Sequence, residues 1–326
     1  MLNAAIIGLG WWGKNLVNAV QDRSERIRFI HGVSKEPEAA REFAAAHGFE
    51  LSTELDAALD DPEVEAIVLA TPHSLHADQV EQVANAGKPV FCEKPLSLVR
   101  ADAERAVAAC RRAGVPIGVG QNKRFWPSMR ELVRVVRSGA LGRILHIEGH
   151  YSNENSSKFF SAWRDDPHET PGAGMTGTGI HLLDAFSALA GPAREINAQL
   201  LTTRPAPDPL DTVSVLFKFE NGVSGFLGAV RATPIYWRVH VFGDAGSAEA
   251  LGETELVLRM KGAKPERSTF EPIDSLRAEL EAFADAAAGR AAYPITPQEM
   301  VETIAAFEAT IRSLENGGPV RIGDLR

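Results

Sequence analysis

Residues 3–20 read NAAIIGLGWWGKNLVNAV, an apolar run that breaks into Gly8, Gly10 and Gly13 and then continues with helical spacing at Leu16, Val17 and Val20. This order of strand, tight turn and helix gives a GxGxxG motif its meaning. Gly8 permits the turn, Gly10 lets backbone approach a diphosphate, and Gly13 lets the helix pack closely on the strand. The free N–H groups of the first helical turn then face the anion. The loop marks the start of a dinucleotide-binding unit, with Trp11 and Trp12 as further contacts to the cofactor.

The motif opens a series. Strand patterns recur at IRFIHGVS (27–34), AIVLATP (66–72), PVFCEKP (89–95) and VPIGVGQ (115–121), with amphipathic helical stretches such as 37–48 and 101–114 between them. Such alternation predicts a parallel sheet covered by helices on both faces, a Rossmann domain over residues 1–120. At the end of the second strand an acidic residue ordinarily grips the adenosine ribose hydroxyls. Here Ser34 and Lys35 stand at the tip, and a hydroxyl beside an ammonium suits a 2′-phosphate, which favours NADP; Glu36, one register away, keeps NAD open. In VFCEKPLS, a buried strand delivers Glu93 and Lys94 to the carboxyl edge where open α/β sheets bind ligands. Pro95 bars the helical region for Lys94. A lysine in a low-dielectric pocket can have its pKa lowered toward a range useful for proton transfer, although most lysines are solvated loop residues.

Composition narrows the classes. The chain has 326 residues, 44% of them hydrophobic and 24% charged, enough for two packed cores. A net charge of -9, with no cluster of Lys and Arg, argues against nucleic acid. No stretch reaches the roughly 20 apolar residues of a membrane span, and the first residues read as a strand of the fold, so a cytoplasmic protein is expected. Cys92 and Cys110 show neither zinc nor disulfide spacing and read as small buried groups; no metal is indicated.

From residue 121 to 326 the texture changes to alternating strands. Val213, Val215, Phe217 and Phe219 share a face ahead of the turn at Asn221-Gly222, and a second hairpin is expected at Asp244 to Gly246. These predict a substrate-binding α+β domain with a large, mainly antiparallel sheet, one face on helices and the other open. Thr296-Pro297-Gln298-Glu299 reads as a capping box for a helix reaching about Glu315.

GLGWWG, ATPHSLHADQV (70–80), EKPLS (93–97), GQNKRFWPSMRELV (120–133) and GIHLLDAF (179–186), in this order and spacing, resemble the Gfo/Idh/MocA family of NAD(P)-dependent oxidoreductases. The resemblance extends nearly to the end, through residues 279–322. It implies that Gly8, Gly10 and Gly13 hold the phosphates, that Thr71, Pro72, His73, His76 and Gln121 border the cofactor, and that Glu93, Lys94 and Pro95 form the EKP motif. In that motif the lysine meets substrate and nicotinamide and takes part in proton transfer. Trp163 and Arg164 match a WR pair near cofactor or substrate. The family stretch GGGxxxDxGxHxxD matches GAGMTGTGIHLLD (172–184), so His181 joins Lys94 as catalytic and Asp184 as substrate-binding, both expected on the polar side of a helix's first turn. Gly177 stands where the family carries the first Asp.

The implied activity is hydride exchange between nicotinamide and a secondary alcohol or ketone carbon of a sugar, cyclitol or similar hydroxylated ring. Gly177 leaves room for two alternatives: a dehydrogenase of aromatic cis-dihydrodiols or their carboxylated relatives, and a non-catalytic nicotinamide-binding sensor. The resemblance implies that the open sheet face makes the interface of a homodimer or homotetramer.

Overall fold

The computed structural model describes residues 1–154, 163, 166–172, 175–201, 212–231 and 233–325, and within it the chain forms two compact units. The first contains Met1–Asn122 and Asp274–Met300. Its sheet is built from β1 (Leu2–Ile7), β2 (Ile27–Val33), β3 (Glu50–Ser52), β4 (Ala66–Leu69), β5 (Val90–Glu93) and β6 (Ile117–Gly120). Between them run α1 (Trp11–Val20), α2 (Pro37–His47), α3 (Leu55–Asp60), α4 (His76–Asn85) and α5 (Arg100–Ala113). The order is β3-β2-β1-β4-β5-β6 and every pairing is parallel.

β4 and β5 are buried along their whole length, which explains why they read as continuous apolar runs rather than alternating ones. The strand order reverses between β1 and β4, so the loops leaving the carboxyl ends of these two strands flank the crevice where ligands of such sheets bind. Cys92 and Cys110 are both buried and free, and burial raises both thiol pKa values, Cys110 to about 11.

The second unit contains Lys123–Ile273 and Val301–Arg326. It begins with α6 (Pro127–Arg137), β7 (Ile144–Ser152), α7 (Gly179–Ala190), β8 (Ala193–Leu201) and β9 (Thr212–Phe219). β10 (Ser224–Val230), β11 (Tyr236–Gly243), β12 (Gly246–Leu251), β13 (Glu255–Met260) and β14 (Glu266–Thr269) follow. Both expected hairpins form, β9 with β10 and β11 with β12. With the terminal β15 (Val320–Arg321) they make a nine-stranded sheet, β14-β13-β12-β11-β7-β10-β9-β8-β15, in which only the β7–β10 pairing is parallel.

Val213, Val215, Phe217 and Phe219 all point into the core. There Phe186 of α7 meets Phe217 and Phe219 edge-on at 5.4 and 6.2 Å. α7 crosses the inner face of the sheet at Gly149, where a Cβ would come within 2.9 Å of both Phe186 and Leu182.

The chain does not divide at a single point. α8 (Ser275–Ala287) belongs to the first unit, where Phe283 lies 5.7 Å from the Phe91 ring and the Arg277 Nε donates to the Ala19 carbonyl at 2.9 Å. Tyr293 adds a buried hydroxyl that donates to the Val119 carbonyl at 2.8 Å. Leu280 and Phe283 are fully buried, so a domain running unbroken from 121 to 326 would strip these apolar side chains from their packing. α9 (Pro297–Asn316) opens on a reciprocal box: Glu299 N–H donates to Thr296 Oγ1 at 3.2 Å, and Thr296 N–H donates to the Glu299 carboxylate at 2.8 Å. Among the described residues no helix is long and apolar enough to cross a membrane.

Candidate active site

The nucleotide end of the first unit is made mostly of backbone. Gly8 sits at φ +96°, and a Cβ there would fall 2.5 Å from the Ala70 carbonyl oxygen at the end of β4. A Cβ on Gly13 would fall 1.9 Å from the Gly8 carbonyl. These two glycines therefore let α1 dock directly over the turn at the switch point. Gly10 is the N-cap of α1, extended and without a side-chain cap, so no side chain covers the start of the helix, the end that favours an anion. That cradle fits the diphosphate of a dinucleotide. Trp11 and Trp12 form the first helical residues with ring centroids 5.4 Å apart, and Trp11 is about half exposed.

At the tip of β2, the Glu36 N–H donates to Ser34 Oγ at 3.2 Å and the Lys35 ammonium lies 3.4 Å from Glu54. Both members of that pair are mostly solvated, 83% and 68% exposed, so the contact does little to immobilise Lys35.

The loops after β4 and β5 are tied together by a histidine. His76, which the resemblance places at the border of the cofactor, is fully buried. Its Nδ1 lies 2.7 Å from the Pro95 carbonyl oxygen and its Nε2 3.0 Å from the Thr71 carbonyl oxygen. His73 is also buried, 5.8 Å from it ring to ring, because both sit where the turn after Pro72 enters α4. The Glu93 carboxylate is buried against Gly120, where a Cβ would come within 2.6 Å of it, and it accepts from the Lys94 N–H at 3.2 Å. The Lys94–Pro95 peptide is cis. Gln121 is buried at the end of β6, its N–H donating to the Val119 carbonyl at 2.9 Å.

In the second unit α7 carries His181 and Asp184, and here the structure corrects the sequence reading. Neither lies on a polar face: α7 is buried nearly all round, with His181 5% and Asp184 2% exposed. The cause is the helix's central position on the sheet, which leaves it no solvent side. Asp184 is the sixth residue of the helix, beyond the first turn, and accepts a hydrogen bond from Arg124 Nε at 2.6 Å. The pair is enclosed, 8% and 3% exposed, so Asp184 is held by a full charge rather than presented to solvent.

His181 lies with its ring 6.2 Å from that of Tyr151 on β7. The Tyr151 hydroxyl accepts from Asn153 Nδ2 at 3.4 Å, and burial raises its pKa. Tyr151 meets Trp237 edge-on at 5.3 Å, Trp237 meets Trp126 at 5.5 Å, and the Lys123 ammonium stands 3.8 Å above the Trp126 ring. Lys123 and Arg124 lie inside the GQNKRFWPSMRELV motif, and the sequence alone gives neither a role. The signal was the KRFWP run itself, two cations and two aromatics between a buried strand and a helix.

Gly177 is described as part of the turn before α7, and Trp163 as a residue half-buried near Asp166, whose N–H donates to the Trp163 carbonyl at 3.3 Å. Arg164, residues 173 and 174 of the glycine-rich stretch, and the proline-dense loop 202–211 lie outside the described residues. Among the described residues no group of His, Cys, Asp and Glu is arranged to hold a metal ion.

Residues 2–121 match the model of an oxidoreductase family with an NAD-binding Rossmann fold, and residues 129–249 match that family's C-terminal domain. The chain belongs to the Gfo/Idh/MocA oxidoreductase family. An inositol 2-dehydrogenase from Saccharopolyspora erythraea is 30% identical over 98% of this chain and 96% of its own. Among solved structures, aldose-aldose oxidoreductase from Caulobacter crescentus, complexed with glycerol, superposes with a TM-score of 0.85 at 25% identity, covering 98% of this chain and 99% of that one. A levoglucosan dehydrogenase holding NADH and levoglucosan superposes with a TM-score of 0.86 at 22% identity, covering 98% and 99%, and so shares the fold. In this family frame, the glycine cradle and the EKP segment belong to a nicotinamide-dependent oxidoreductase.

Proposed function

We propose that the chain is a dehydrogenase that moves hydride between a nicotinamide cofactor and the carbon of a secondary alcohol, or the matching ketone, on a sugar or cyclitol. One observation carries the reading: the glycine cradle leaves β1 at the switch point, and Lys94 leaves β5 on the same carboxyl edge of one parallel sheet. When bound, the nicotinamide supplies or accepts the hydride at its C4. Lys94 takes the hydroxyl proton as the alcohol becomes a ketone and returns it in the reverse direction. His181 assists by hydrogen bond or as a second acid/base, with Tyr151 beside it. Asp184, engaged by Arg124, keeps α7 and its imidazole in place rather than shuttling the proton. The names of the relatives support a polyol substrate, and neither a dihydrodiol nor a sensor role finds a counterpart among those described above.

NADP is the favoured cofactor, on the strength of Ser34 and the lightly held Lys35 at the tip of β2; the NADH in the levoglucosan dehydrogenase structure keeps NAD as the second reading. The family motif extends cofactor contact to Trp163 and Arg164, and it places Gly177 at the substrate. The open sheet face supports assembly into a homodimer or homotetramer: Phe226 and Leu216 stand opposite one another there, 37% and 56% exposed. A cytoplasmic enzyme without nucleic-acid partners is consistent with the net charge of -9.

The test is Lys94→Ala, with NADP+ and NAD+ reduction followed on myo-inositol, D-glucose and levoglucosan. Turnover should fall by about 100-fold or more with the affinity for reduced cofactor within about twofold. Unchanged turnover removes Lys94 from the mechanism.

A further inference from the structure

Trp237 is the second residue of β11 and pairs with Tyr151 of β7, so the two side chains share the inner face of the sheet on which α7 lies. It is enclosed, 2% exposed, and its indole Nε1 has no hydrogen-bond partner among the described residues. An indole N–H donates and cannot accept, so only an oxygen or nitrogen lone pair completes it. A buried donor left without an acceptor destabilises the fold, and native structures keep such groups few. The rings beside it, Tyr151 at 5.3 Å and Trp126 at 5.5 Å, both meet it edge-on, and a ring face receives an N–H only weakly.

The place of this donor in the second unit suggests what completes it. On one side the Tyr151 ring lies 6.2 Å from that of His181, the third residue of α7. On the other side Trp126 is half-buried, and the Lys123 ammonium stands 3.8 Å above its ring and 5.6 Å from the centre of the Tyr151 ring. The run thus leads from a partly open end at Trp126 and Lys123 to the imidazole, with the Trp237 donor between them. Apolar rings with a few placed polar atoms are how a small-molecule site fixes the orientation of its ligand.

We propose that Trp237 is a substrate-binding residue whose Nε1–H donates to a hydroxyl oxygen of the sugar or cyclitol, at a carbon other than the one oxidised. A ring without a hydroxyl at that place leaves the donor buried and unmade, so Trp237 helps to choose which polyol is accepted. The substrate role rests on the dehydrogenase reading above, whereas the binding of a hydroxyl oxygen does not.

Indole 1H–15N NMR of the full-length protein reads the donor without turnover. The five tryptophans give five indole signals, and that of Trp237 is assigned by backbone connection and by its loss in Trp237→Phe. Spectra are recorded with NADH, so that a polyol binds without being consumed, in the presence of myo-inositol or levoglucosan. The Trp237 proton should move downfield with each of these that the native protein oxidises. KM for that polyol should rise about tenfold in Trp237→Phe with a far smaller change in kcat. An oxidised polyol that leaves the Trp237 signal in place, or an unchanged KM in a folded Trp237→Phe, overturns the assignment and leaves the dehydrogenase reading standing. A signal held upfield throughout, as over the face of Trp126 or Tyr151, or a cross-peak to bound water that persists in the polyol complex, overturns it as well. If neither polyol is oxidised, a shift on binding upholds the donor while the dehydrogenase reading falls, and the absence of any shift overturns both.

Discussion

The NAD-binding Rossmann unit and the second unit set out their candidate site residues by opposite means. In the first, the site is backbone: Gly8 and Gly13 matter because any side chain would collide with carbonyl oxygens 2.5 and 1.9 Å from the added carbon. In the second, the candidate site is side chain: a buried ion pair between Arg124 and Asp184 and a run of aromatic rings from Trp126 through Trp237 and Tyr151 to His181. A backbone site tolerates no substitution at its few fixed glycines. A side-chain site can be rebuilt by paired changes, which is how related enzymes on one fold come to act on different substrates.

The sharpest way to break the contrast is Gly13→Val. No rotamer relieves a clash between a Cβ and the Gly8 carbonyl, so NADPH and NADH binding, followed by nicotinamide fluorescence, should be lost by about 1,000-fold or the unit should fail to fold by circular dichroism. Near-normal binding in a folded variant would show that the docking of α1 on the turn is not required.

A smaller effect tests the other side. Arg124→Met leaves the Asp184 carboxylate buried without its guanidinium, and urea unfolding should show a loss of about 3–5 kcal/mol. Adding Asp184→Leu should recover most of that loss, since well-packed apolar replacement of a whole buried pair is often neutral. If the double variant is as unstable as the single one, the pair is not the unit that holds α7.

Legibility followed the same divide. The parallel sheet, both hairpins and the capping box at Thr296 were readable because each is signalled locally, by apolar runs, by Asn-Gly or by Thr-x-x-Glu. The position of His181 was not. GIHLLDAF has the apolar spacing of an amphipathic helix, yet sheet, aromatic side chains and Arg124 enclose α7 on every side, and a helix's own periodicity says nothing about what covers its polar side. The contacts of His76 were hidden for a related reason: its ring nitrogens lie against carbonyls of residues 5 and 19 positions away, and a carbonyl has no letter in the sequence. The return of Asp274–Met300 to the first unit is a tertiary fact that no local signal at residue 274 announces.

A third test uses pH and the open sheet face. Burial pushes the His240 imidazole down to about 4, and its Nδ1 accepts from Arg238 at 2.9 Å, which requires the neutral ring. Between pH 6.5 and 4 the unfolded chain therefore binds a proton that the folded chain refuses, so stability is full above about 6.5 and falls as the pH drops through this window. The loss is up to about 3 kcal/mol. Glu249, its pKa lowered by hydrogen bonds from Arg238 and Arg259, loses stability in the same direction. Urea midpoints at pH 7.5 and 5 should separate clearly in the native protein and draw together in His240→Phe; an unchanged separation would assign the acid sensitivity elsewhere.

The smallest effect expected is at the tip of β2. Lys35→Ala should leave stability within about 0.5 kcal/mol, because its pairing with Glu54 is exposed, while lowering NADPH affinity about tenfold and leaving NADH nearly unchanged. Equal loss for both cofactors would detach Lys35 from the 2′-phosphate.

The most direct measurement is a fluorescence titration of the purified native protein with NADPH and with NADH. Saturable binding of a reduced nicotinamide, tighter for NADPH, is the result this account expects. Binding tighter for NADH would move ribose recognition to Glu36 and keep the dehydrogenase, whereas no saturable signal with either would contradict the claim that the glycine cradle holds a nicotinamide dinucleotide.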